Sequence, residues 1–158
     1  SVSLGGINLL FTFVGLYFID RLGRKQLMYI GSLGYIFSLC MVAFAFYSEA
    51  APMFTLAFIL MFIASHAMGQ GAVIWVFISE IFPNSVRGAG QSWGTGTHWV
   101  FAAMITLLGP VVQEAFPEGW PIFVFFAGCM ILQLGFTHWI MPETKGKSLE
   151  ELQHDLER

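Results

Sequence analysis

The sequence predicts an all-α integral membrane protein, and three observations carry that prediction. Of its 158 residues, 56% are hydrophobic and only 11% charged, where a soluble domain carries roughly a quarter charged residues. Apolar segments follow one another along the chain, each near the ~20 residues that a helix needs to cross the hydrocarbon core of a bilayer. All 7 Lys and Arg residues fall in alternate separators between those segments. A water-soluble protein with a very apolar core has no reason to segregate its charges in this way.

Five spans are expected, at about 2–19, 27–47, 53–78, 89–112 and 120–141. The first separator, Asp20–Gln26, holds Arg21, Arg24 and Lys25. The second, Ser48–Pro52, has no base, only Glu49. The third, Ser79–Gly88, holds Arg87, and the fourth, Gln113–Gly119, holds only Glu114 and Glu118. The remaining bases, Lys145, Lys147 and Arg158, lie in the tail Pro142–Arg158. Positive charge accumulates on the cytoplasmic side of membrane helices. The reading is therefore a multi-pass protein of the plasma or inner membrane, with loops 20–26 and 79–88 and the C-terminus in the cytoplasm. Residues 1–141 form a transmembrane bundle, and 142–158 a tail. In the tail, Ser148 with Glu151 makes a capping-box pattern, and Leu149, Leu152 and Leu156 recur at helical spacing. A short amphipathic helix on the cytoplasmic face is expected, with the lipid bilayer as the solvent of everything before it.

Several functions are disfavoured. A net charge of −3 gives no footprint for nucleic acid. Cys40 and Cys129 lie in separate apolar runs, and their spacing matches no metal site. No phosphate loop, zinc-protease helix or nucleophile elbow is present, so no enzyme, no cofactor and no metal are expected. The chain opens on Ser inside an apolar pattern, which suggests a piece of a longer protein.

The chemistry concentrates in Met68–Gly96. Gly69 and Gly71 interrupt the third span, Trp75 follows one turn later, and a polar corner containing Glu80, Pro83 and Arg87 ends it. A broken helix within a membrane is tolerated where it is buried in protein or lines a cavity, which makes Gly69 and Gly71 candidate hinges beside a binding site. Glycine pairs also serve close helix packing, and that reading stays open. Asp20 stands at the end of one span, where the helix dipole disfavours a carboxylate, so a base must compensate it. Glu80 and Arg87 flank Pro83, and an ion pair between them is expected at the membrane boundary. These charged corners are either topogenic clusters or a latch that is made and broken.

Three motifs now fall into order: Asp20-Arg-Leu-Gly-Arg-Lys25, Glu80-Ile-Phe-Pro-Asn-Ser-Val-Arg-Gly88 and Pro142-Glu-Thr-Lys-Gly-Lys-Ser-Leu-Glu-Glu151. Together they resemble the sugar porter family of the major facilitator superfamily. The chain would correspond to spans 8–12 of a twelve-span transporter, and it is most similar in character to bacterial sugar–proton symporters. The resemblance implies five spans of a six-helix C-terminal domain. It also implies transport of a monosaccharide (pentose, hexose or polyol) by alternating access, as a proton symporter. The partners implied are the sugar, a missing N-terminal half and a coupling proton. It makes Asn8, Gln70, Trp75, His98 and Trp99 substrate contacts. It places Asp20, Arg21, Arg24, Glu80, Arg87 and Glu143 in a charge network that holds one conformation.

Residue chemistry agrees with that assignment. A sugar needs a few amide or imidazole groups and a ring to stack on, inside a largely apolar cavity. Two positions depart from the family. Gly69-Gln70-Gly71-Ala72 lacks the usual proline, so the break rests on glycine alone and Gln70 is expected to reach the cavity. His98 stands where the family carries Gln or Asn, and imidazole titrates near neutral pH, which suggests pH-dependent affinity. No acid lies deep in a span, so a coupling proton would need a histidine or an acid elsewhere in the protein. The alternatives are a transporter-like sugar sensor and a non-transporting membrane subunit.

Overall fold

The computed structural model describes residues 2–147, 150 and 151. Six helices account for most of them: α1 (Val2–Leu22), α2 (Arg24–Tyr47), α3 (Pro52–Met68), α4 (Gln70–Glu80), α5 (Arg87–Ala115) and α6 (Trp120–Trp139). Five helical stretches are long and apolar enough to cross a membrane, α3 and α4 together making the third. The chain is thus an all-helical, multi-pass membrane protein, as the apolar periodicity implies. Residues 150–151 are helical, but Ser148, Leu149, Leu152 and Leu156 of the expected tail helix lie outside the described residues.

Most helices extend beyond the expected spans. α1 continues to Leu22, α2 begins at Arg24 and α5 runs from Arg87 to Ala115. An apolar run marks only the stretch that avoids water, whereas the backbone ladder continues until a residue stops it. Gly23 is such a residue: its φ of +97° turns α1 directly into α2. The third span differs more. It is two helices rather than one, parted at Gly69 with φ −92° and ψ −98°, so the glycine break is real and sits at its first glycine. Pro52 opens α3 at a position where its missing N–H costs nothing.

The bundle is organised around α2, which packs against both α3 and α6 and holds nine of the buried residues, among them Leu27, Gly31, Ser32, Leu39 and Val42. Lipid tails are as apolar as leucine, so association depends on close packing and small residues rather than on expulsion of water. The crossings obey this rule. A Cβ added to Gly31 would stand 2.7 Å from the Cα of Gly69, so α2 and the break touch backbone to backbone. A Cβ on Gly15 would stand 2.6 Å from the Met68 carbonyl oxygen, fixing α1 against the end of α3. The hydrophobic core, Ile19, Leu27, Met28, Val73, Phe77 and Met141, gathers at the charged end of the bundle.

α5 is the exception. It contains no buried residue, and α4 is the helix it chiefly touches. Gly90 lies against the Phe82 ring and Gly94 against Ile78, so these two glycines, four apart on α5, form its packing seam.

Candidate functional site

Two places carry polar chemistry: the break at Gly69 and the charged end of the bundle. At the break, α4 presents Trp75 and α5 presents His98. Their ring centroids are 5.1 Å apart with planes at 71°, an edge-to-face contact. His98 also meets Trp99 edge-on, with centroids 5.4 Å apart. Trp75 is 40% exposed and Trp99 62% exposed, so both indole faces stay available. Two π-faces and an imidazole with a donor and an acceptor suit a ligand that has apolar C–H faces and hydroxyls.

The other expected contacts are placed differently. Asn8 is exposed on α1, two turns before the Gly15 crossing. Its carbonyl accepts from the Thr12 hydroxyl at 2.8 Å. Gln70 does not turn toward the indoles: its Nε2 donates to Ser32 Oγ at 3.0 Å, and its Oε1 is buried against Gly31 with no hydrogen-bond partner. The expectation that Gln70 reaches the cavity is therefore corrected in this structure. With Ser32 fully buried on α2 directly opposite, the nearest acceptor for the amide lies across the helix crossing. Gly71 leaves room for His66, whose Nε2 would lie 3.4 Å from an added Cβ. His66 in turn meets Tyr35 edge-on at 5.8 Å.

At the charged end, the Arg24 guanidinium is the centre. Its Nη2 and Nε donate to the two carboxylate oxygens of Glu80 at 2.6 and 3.1 Å, a bidentate pair. Its Nη1 donates to Asp20 at 2.9 Å, one helical turn back, which supplies the base that Asp20 needs. Thr144 donates to Glu80 at 2.6 Å. Glu143 has a different task. Its carboxylate accepts from the backbone N–H groups of Arg24 and Lys25 at 2.9 and 3.0 Å, and from that of Lys145 at 3.0 Å. It therefore caps the positive N-terminus of α2. A side chain on Gly23 would collide with that carboxylate, the would-be Cβ lying 2.5 Å from Oε2, so glycine is required there twice over.

The ion pair expected between Glu80 and Arg87 is not formed. Arg24 takes both oxygens of Glu80, because α1, α2 and α4 converge there, whereas Arg87 starts a helix that packs loosely. Arg87 donates only a long hydrogen bond, 3.4 Å, to the Phe82 carbonyl, and its buried Nη2 has no partner. Arg21 also stands outside the cluster, its guanidinium lying over the Tyr17 ring at 4.1 Å. Of the six residues expected in one network, the structure brings together Asp20, Arg24, Glu80 and Glu143. Thr144 and Ser32 were missed by sequence reasoning. Thr144 lay inside a quoted motif, but a neutral hydroxyl beside an acid announces no partner, and Ser32 is one of several small residues in its span. Among the described residues no group of three or more His, Cys, Asp or Glu could hold a metal ion.

Comparison with known proteins decides the family. Residues 1–156 match the family model described as "Sugar (and other) transporter". The chain belongs to the sugar transporter family. It is 34% identical over 160 residues to the D-xylose-proton symporter of Escherichia coli, covering 97% of this chain and 32% of that protein. It is 31% identical over 159 residues to the glucose facilitated diffusion protein of Zymomonas mobilis, covering 97% of this chain and 33% of the relative. Among solved structures it superposes, with a TM-score of 0.89 and 34% identity, on the major facilitator superfamily proton:xylose symporter XylE bound to 6-bromo-6-deoxy-D-glucose. That match covers 97% of this chain and 33% of the symporter. The chain thus spans about a third of the length of the curated relatives it matches.

Proposed function

We propose that this chain is the C-terminal portion of a transporter that moves a monosaccharide, a pentose, hexose or polyol, across a cell membrane by alternating access. The observation that carries the proposal is the Trp75–His98 pair. Two helices bring an indole and an imidazole edge to face at 5.1 Å beside a break in the membrane-spanning segment. A pyranose or furanose ring stacks on Trp75 and Trp99 and exchanges hydroxyl hydrogen bonds with His98, while Asn8 contributes an amide from α1. Gln70 holds the broken span to α2, and Gly69 and Gly71 supply the freedom at which the span bends.

The charged end faces the cytoplasm in this reading, with loops 20–26 and 79–88 and the tail on that side. Such a face suits the positive-inside rule. The cluster of Asp20, Arg24, Glu80 and Glu143 ties the ends of α1, α2 and α4 to the tail, and rocking of this bundle against an N-terminal half would make and break it. Coupling to a proton uses that other half or a histidine of this one, since the acids of this chain lie near helix ends or in the connecting loops and tail. The protein is a carrier and performs no covalent chemistry.

Counterflow of labelled monosaccharides in proteoliposomes tests the proposal. The full-length protein is expected to exchange at least one pentose, hexose or polyol, and Trp75→Ala to lose at least ten-fold in exchange. Exchange that survives in Trp75→Ala, or its absence for every sugar with folded protein, refutes it.

A further inference from the structure

A groove lies between α2 and α6, away from the residues of the Trp75–His98 pair. There an open groove of ≈ 670 Å³ is lined by Tyr29 and Leu33 of α2 and by eight residues between Ile131 and Ile140 on and just past α6, among them Ile131, Leu132, Gly135 and Trp139. Its walls are large, apolar and uncovered: Leu33 is 59%, Leu132 75% and Trp139 81% exposed. Gly135 lets the groove run past the Trp139 ring, which would lie 3.0 Å from a Cβ placed there.

One end of the groove is polar and basic. Tyr29 and His138 share a hydrogen bond of 2.8 Å at Nδ1. A neutral imidazole that accepts there keeps its proton on Nε2, where it is a donor. Lys25 Nζ donates to the His138 carbonyl at 3.1 Å, which anchors the ammonium at the C-terminus of α6 and leaves it two further N–H groups. The neighbouring acid, Glu143, is turned away into the N-terminus of α2, with three backbone N–H groups on its oxygens. With Glu143 so engaged, the Lys25 ammonium is the charge nearest the groove that keeps donors for an anion.

Length identifies the occupant. Nine residue steps from Ile131 to Ile140 rise roughly 14 Å along a helix. Half of the hydrocarbon core is about 15 Å thick. The groove thus matches the depth of one leaflet, with a cation, an imidazole and an exposed indole at the level of the headgroups. We propose that it is a site for an anionic phospholipid of the leaflet at the charged end, with one acyl chain in the groove and the phosphate on Lys25 and His138. The site does not depend on the sugar reading. It couples to it physically, because Lys25 and Glu143 share the start of α2 with Arg24, and a bound lipid would brace the end of the bundle where the charge cluster sits.

Native mass spectrometry of the full-length protein, purified in detergent and titrated with phosphatidylglycerol or phosphatidylcholine of identical chains, tests the site. The protein is expected to retain one phosphatidylglycerol with several-fold preference over phosphatidylcholine. Lys25→Gln is expected to bring that preference close to one, and Leu33→Trp, which fills the groove, to abolish the retained lipid of either kind. No preference in the parent protein, or retention unchanged in both variants, overturns the proposal. So does a parent protein that is dimeric through this face, read as loss of the dimer in Leu33→Trp with no lipid retained beforehand. If Leu33→Trp does not elute as a single species, Ile131→Trp on the facing wall fills the same groove and decides in its place.

Discussion

The two polar regions of this molecule are built in opposite ways. At the charged end, Arg24, Glu80, Asp20, Glu143 and Thr144 come from four separate stretches of chain, and nearly every donor and acceptor finds a partner within them. Around Trp75 and His98 the contacts described are between rings, and the helix that carries His98 and Trp99 has no buried residue. The first region is finished within this chain, and its chemistry is that of a clamp. In the second, the Trp75 and Trp99 rings keep exposed faces, and the proposed sugar contact rests on them. A satisfied polar cluster rigidifies the fold around it.

That contrast predicts a graded response to mutation. The largest effect is expected from Arg24→Ala, since Arg24 is 11% and Glu80 20% exposed. Removing one partner leaves charge uncompensated, at a cost of about 2–4 kcal/mol, read as a drop in the melting temperature of detergent-purified protein. Trp75→Ala should barely move the same melting temperature, and equal losses in the two variants would erase the distinction between clamp and site.

Gly31→Ala comes next. Its Cβ meets the backbone of Gly69 at 2.7 Å, so the helices must part, at a cost of about 1–3 kcal/mol. Gly5→Ala is the matched control, with nothing within 4 Å of an added Cβ, and is expected to be neutral or mildly stabilising. A similar response at both positions would show that the break does not rest on the Gly31–Gly69 contact. Ser32→Ala is expected to cost about 1 kcal/mol by freeing the Gln70 amide. If the amide then reaches the indoles, sugar affinity will change along with stability, whereas a change in stability alone leaves Gln70 as a brace. The smallest effect belongs to Arg21→Ala, whose exposed guanidinium over Tyr17 is worth no more than about 0.5–1 kcal/mol. A loss as large as that of Arg24→Ala would place Arg21 inside the clamp.

Much of this was legible beforehand. Span number, the break at Gly69 and the clustering of charge at alternate loops are local or periodic properties, and each survives in the structure. The candidate site was legible in part. Trp75 and His98 do meet, because Gly94 lets α5 approach α4 beside them, and Trp99 touches His98 as its chain neighbour. Gln70 was misplaced because an amide in a broken span is compatible with a cavity and with a neighbouring helix alike, and only the position of Ser32 chooses between them. Glu80 was assigned to Arg87 because the two are close in sequence, while Arg24, 56 positions away, is closer in space.

The sequence by itself determined that this chain is helical, that it crosses a membrane repeatedly, where one span breaks and which loops carry charge. Those properties follow from periodicity, apolar length and glycine, and they need no knowledge of neighbours. Only the tertiary structure decided which acid pairs with which base, that Glu143 caps α2, that Gln70 faces α2, that α5 stands apart from the packed bundle, and that an open groove runs between α2 and α6. These depend on which helices touch and at what register. In hydrocarbon that choice rests on close contacts between small residues and on matched polar groups, which the apolar pattern of the sequence does not encode.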